Sequence, residues 1–192
     1  KKDKNSDENS VYSYIVLEEP DKEFVINFKP GDSFSRKAKI IGIDSNSKGF
    51  EALIDLSNEE VVSIISLSEN AGPTYSMVEI KTAIQLTLEN EEYQEALKKR
   101  GITDLNLIQM DPWPGGGIVN KNIKKGHRAL KTISFLKESP DDNAYAKPIS
   151  GLISHVDITD KCVVEIEDHG VFQMAEASAR YDAKSQETLR SQ

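Results

Sequence analysis

Ile43-Asp44-Ser45-Asn46-Ser47-Lys48-Gly49-Phe50 is echoed later in the chain by Val156-Asp157-Ile158-Thr159-Asp160-Lys161-Cys162-Val163. The aspartates, the lysines and the apolar residues beyond them fall in the same register. Each stretch is flanked by β-branched, near-alternating residues, so each reads as strand–turn–strand. Their recurrence predicts two related α+β modules in one chain.

Working outward from the first hairpin, residues 11–67 read as strands. Tyr12–Leu17 comes first. Phe24–Phe28 follows the turn Glu19-Pro20-Asp21, then Ala38–Ile43, Phe50–Leu56 and Val61–Leu67. The turns at 44–49 and 57–60 join antiparallel hairpins. This first module shows no helix of its own. An antiparallel sheet needs a partner layer on its apolar face. That layer is expected either upstream of Lys1 or from the second module.

A helical block follows. Ser76 with Glu79 has the form of a capping box, and Met77, Ile80, Ile84 and Leu88 repeat at helical spacing. Asn90 can cap a second helix carrying Tyr93, Ala96 and Leu97. Lys98, Lys99 and Arg100 suit its C-terminus, and Gly101 suits the left-handed residue after it. The block is one long helix or two short ones broken near Glu89-Asn90. Strands then resume at Leu105–Met110, His127–Leu136, Ile149–Val156 and Cys162–Ile166.

Composition narrows function. A net charge of -8 argues against generic nucleic-acid binding and against a polybasic membrane anchor. No apolar run is long enough to span a bilayer. The polar start Lys1–Ser10 has no apolar core segment, so it is not a signal peptide. Cys162 is the sole cysteine, which excludes an internal disulfide, and its apolar surroundings predict an inert, partly buried thiol.

The chain carries few residues in catalytic spacing. His127, His155 and His169 are dispersed, with no metal-ligand pattern. No nucleophile elbow or phosphate-binding glycine loop is present, and an autonomous hydrolase has no constellation behind it. The acidic pairs Glu59-Glu60 and Asp141-Asp142 sit at turns, where water keeps carboxylates ordinary. Glu167 and Asp168 beside His169 read as a local charge pair. The exception is Asp111-Pro112-Trp113-Pro114-Gly115-Gly116-Gly117. Two prolines restrain the backbone around the only tryptophan, and three glycines release it. Such a ring can wall an apolar channel or pack onto its own sheet.

Several segments, in order, resemble the second and third N-terminal domains of copper amine oxidases. They are Leu17–Lys22, Arg36-Lys37-Ala38, Glu51–Leu56 with Val61–Ser63, Ala96–Ile102, Asp111-Pro112-Trp113 and Asn143–Asp168. The resemblance covers residues 11–172. It implies two small cystatin-like modules, each an antiparallel sheet packed with helix, the first lacking its own helix. Their expected limits are 11–72 and 73–175, between a polar tail at 1–10 and a linker at 176–192 leading toward an absent catalytic domain.

The family oxidises primary amines to aldehydes, releasing ammonia and hydrogen peroxide, with copper and topaquinone in a homodimer. Those cofactors are implied for the full-length enzyme only. The chain has no Asn-Tyr pair, Tyr181 lies in Arg180-Tyr181-Asp182, and no His-x-His is present. No catalytic or copper-binding residue is therefore carried over, and the chain alone is expected to be inactive. Its expected partners are the catalytic domain and a primary amine approaching past Pro112 and Trp113, which are placed at the substrate channel. The alternative is a free-standing cystatin-like binding module without oxidase activity.

Overall fold

The structure, a computed structural model, describes residues 10–45, 48–68, 72–116, 120–140, 142, 145 and 147–174. Residues 1–9, Gly117, Asp141, Asn143, Ala144, Ala146 and the 176–192 segment with Tyr181 lie outside the described residues. The chain divides into two compact units, residues 1–77 and 78–192.

The first unit is an antiparallel sheet of β1 (Val11–Glu18), β2 (Lys37–Ile43), β3 (Gly49–Asp55) and β4 (Glu60–Ser66), in that spatial order. The β2–β3 hairpin pairs Ile43 with Gly49 and Lys37 with Asp55. Asp44 closes it: its amide donates to the Lys48 carbonyl at 2.9 Å, and its carboxylate accepts the Lys48 amide at 2.9 Å. At the other aspartate of the repeat, Asp157 accepts the Asp160 amide, also at 2.9 Å. The shared chemistry is a carboxylate satisfying a turn amide. The two hairpins are not topological equivalents, because β2–β3 lies at the centre of its sheet while its counterpart is an end pair.

The segment expected as a strand at Phe24–Phe28 is instead a short helix, α1 (Lys22–Asn27). Its β-branched Val25 and Ile26 favour a strand, but local contacts override that preference. The Val25 amide donates to the Asp21 carbonyl at 3.0 Å, and the Asn27 side chain donates to the Glu23 carbonyl at 2.8 Å. Phe24, Phe28 and Phe34 then meet in edge-on and tilted ring contacts with centroids 5.8–6.3 Å apart. No residue of α1 is buried, so this helix does not supply the layer that the sheet needs. Every residue of β4 is exposed, including Val61, Val62, Ile64 and Ile65.

The second unit holds α2 (Met77–Glu89), apart from its first residue, and α3 (Glu91–Lys99). They break where the sequence places the break: the Asn90 side chain accepts the Tyr93 amide at 2.9 Å. A 3-10 turn at Leu105–Leu107 occupies the start of the expected Leu105–Met110 strand. A four-stranded antiparallel sheet follows, in the order β5 (Ile108–Pro114), β6 (Ala129–Leu136), β7 (Pro148–Asp157) and β8 (Cys162–Asp168). Its buried face packs Ile108, Met110, Leu152 and Ile166 against Tyr93, Ala96 and Leu97 of α3.

Under α2 the interface is polar. Thr87, wholly buried, donates to Ser154 at 3.0 Å and lies 3.3 Å from the Thr132 hydroxyl. The Tyr93 hydroxyl meets Ser134 at 2.6 Å, and burial pushes the phenol up to about 12. Every hydroxyl in this seam has a partner, as burial requires.

Arg100 locks the end of α3 to the sheet. Its side chain is 3% exposed and reaches the Asp168 carboxylate at 2.5 Å and the carbonyls of Ala96, Gly151 and Gly170. Gly151 suits its place, since at φ +72° a side chain would be strained and an added Cβ would lie 2.3 Å from the Phe172 ring, which would have to move. Asp168→Ala would leave a buried guanidinium with carbonyls alone. We expect a loss of about 3 kcal/mol, the low end for breaking a buried ion pair. Urea denaturation measures it, and a loss below about 1 kcal/mol would show that the carbonyls suffice.

Candidate functional site

Alternation along the strands places one residue set of the second sheet against the helices and the other set on the opposite face. Trp113 belongs to the second set and is 56% exposed. It lies within β5, paired with Lys131, rather than on a loop beyond the strand. Pro112 and Pro114 are tolerated there because β5 is an edge strand and bonds only to β6. Pro112 is half-buried and falls on the helix-facing side, so the two expected channel residues point to opposite faces of one strand.

Register across the face turned away from the helices runs Trp113, Lys131, His155, Glu165, and beside it Asp111, Ile133, Ile153, Glu167; of these Trp113 is exposed, while His155 is buried. At the β5 end Tyr145 adds an aromatic. Its ring meets Phe135 edge-on at 4.9 Å, and its hydroxyl points to Asp111 at 3.4 Å. Tyr145 is itself half exposed. Spacing alone gives no reason to join Tyr145 to Asp111; the ring contact with Phe135 on β6 and the hydroxyl of Tyr145 bring them together.

At the β8 end the charges are mutually satisfied. Glu167 bridges His155 at 2.9 Å and His169 at 2.7 Å. The His155 hydrogen bond, then that of His169, holds the Glu167 carboxyl below its usual range. Glu165 accepts from Asn120 at 2.6 Å.

The third histidine stands apart. His127 bonds Asp157 at 2.8 Å and is 3.8 Å from Asp160. Among the described residues this is the one group of three donors close enough to hold a cation, with its ligand atoms within 4.8 Å. The donors are already engaged, because Lys124 pairs with Asp160 at 2.7 Å and Asp157 takes the Asp160 amide. A copper site needing converging histidines does not fit, since His127 and the His155–His169 pair serve different carboxylates. Cys162 opens β8 and is exposed, contrary to the partly buried thiol expected. Partial burial, Asp157 and Asp160 push its thiol up, which disfavours the reactive thiolate.

Asp168 is depressed like Glu167, chiefly by its hydrogen bond to Arg100. A carboxyl lowered by folding stabilises the fold above its unfolded value and loses that contribution as pH falls through the folded value. Stability should therefore hold from pH 7 to about 4 and decline below it. Glu167→Gln should flatten part of that acid limb in a urea-midpoint series against pH, while an unchanged slope would exclude Glu167 as a contributor.

Comparison with known proteins gives consistent matches. Residues 78–186 match the copper amine oxidase N3 domain, and residues 1–66 match the copper amine oxidase N2 domain. A primary amine oxidase of Arthrobacter sp. (strain P1) is 30% identical over 168 residues, covering 87% of this chain and 25% of the relative. One from Klebsiella aerogenes is 29% identical over 183 residues, covering 92% of this chain and 23% of the relative. The chain thus spans about a quarter of the length of these relatives. A crystal structure of a copper-containing benzylamine oxidase from Hansenula polymorpha shares the fold at a TM-score of 0.62 and 14% identity, over 95% of this chain and 31% of that one. No helix among the described residues is long and apolar enough to cross a membrane.

Proposed function

The chain belongs to the copper amine oxidase family, and on that premise we propose that it acts as a non-catalytic N-terminal region that packs on a catalytic domain and shapes the path of the substrate. The observation that supports this reading is the exposed Trp113, two residues along β5 from Asp111, on the face of the second sheet turned away from the helices. A tryptophan 56% exposed on a restrained edge strand is a large apolar surface available to a partner or a passing ligand. Pro112 fixes the strand from the opposite face. The limits proposed for the two modules are 11–72 and 73–175, each of the cystatin-like kind.

Copper and topaquinone are assigned to the catalytic domain, because the residues present here do not fit them. In the intact enzyme, a homodimer in this reading, that domain oxidises a primary amine to an aldehyde and releases ammonia and hydrogen peroxide. Residues of this chain bind and orient; they hold no proton or electron in the reaction.

Two results test the proposal. The 192-residue chain incubated with copper and oxygen should develop no quinone absorbance and no amine-dependent peroxide. Stoichiometric quinone would contradict it. In an enzyme carrying this chain, Trp113→Ala should shift kcat/KM between bulky and small amines with normal copper and quinone content. The variant should cost under about 1 kcal/mol of stability, whereas a core tryptophan would cost about 3–5 kcal/mol. Severe destabilisation with an unchanged amine ranking would mean that Trp113 serves packing alone.

A further inference from the structure

The first unit contains an open surface pocket of ≈ 370 Å³ where the end of β1, the following turn, α1 and the 34–35 segment meet. Its walls combine two kinds of group. Phe24 and Phe34, whose ring centroids lie 5.8 Å apart with a 58° tilt, line it together with Leu53. Glu18, Glu19 and Asp21 bring three carboxylates, against the single ammonium of Lys37. Glu18 is shared with Lys39 at 3.4 Å. The carboxylates of Glu19 and Asp21 have no hydrogen bond or ion pair among the described residues.

We propose that this pocket binds a small organic ammonium ion, with its alkyl groups against Phe24 and Phe34 and its charge facing Glu19 and Asp21. Ring faces attract a cation, and most strongly a weakly hydrated one. The excess of unpaired negative charge repels anions and gives a neutral apolar molecule no advantage. A bare inorganic cation gains nothing from the rings. The volume suits a small organic ligand. This inference does not rest on the reading given above for Trp113.

Choline and its uncharged carbon counterpart, 3,3-dimethylbutan-1-ol, have nearly the same shape and differ in charge. Titrated into the 192-residue chain, choline should shift the NMR signals of the Phe24 and Phe34 rings in a saturable way. The alcohol, or potassium chloride at equal concentration, should not. The double variant Glu19→Gln/Asp21→Asn, both exposed positions, should keep its melting transition and bind choline about tenfold more weakly. Equal shifts from the alcohol or the potassium salt, no saturable shift with choline, or undiminished binding by the double variant would each overturn the proposal.

Discussion

One face of the second sheet is sealed by α2 and α3, and the position of every other feature in that unit follows from this one-sided burial. The seal is partly apolar, through Tyr93, Ala96 and Leu97. It is partly a run of paired hydroxyls, Thr87 with Thr132 and Ser154, and Tyr93 with Ser134. Apolar packing alone would tolerate some sliding of helix on sheet. The hydroxyl pairs penalise it, because each buried group displaced from its partner costs its full desolvation. Arg100 then fixes the α3 end against Gly151, Asp168 and Gly170. With one face committed, strand alternation leaves Trp113, Lys131, His155 and Glu165 on the other.

The two units handle the same constraint differently. The first has a sheet of equal strand number, yet among the described residues of its strands the buried apolar side chains are Ala38, Ile43 and Ala52. Its own helix is six residues long and buries none of them.

Much of this was legible in the sequence, and what was not has a physical reason. The α2–α3 break could be read because Asn90 is a side-chain cap, a local device visible at one position. The hairpins could be read because alternation and turn residues are local too. Phe24–Phe28 misled because β-branched composition outweighed a three-ring contact with Phe34, a residue beyond the segment. The run at Asp111–Gly117 looked like a loop because two prolines suggest one; only the edge position of β5 makes them compatible with a strand. The repeat named the right fold class from hairpins that are not equivalent. At the candidate site Trp113 was identifiable as the only tryptophan. Its cross-strand partner Lys131, and His155 beyond it, come from strand register, which no short motif encodes.

The central claim is that the second sheet buries one face and leaves Trp113 on the other, available to a partner. As the sole tryptophan, Trp113 reports its own surroundings without interference. Iodide quenching of its fluorescence in the 192-residue chain is the direct measurement. The account predicts red-shifted, water-like emission, quenched at a large fraction of the rate seen for N-acetyltryptophanamide. Blue-shifted emission that resists iodide would place the ring in a packed interior and contradict it.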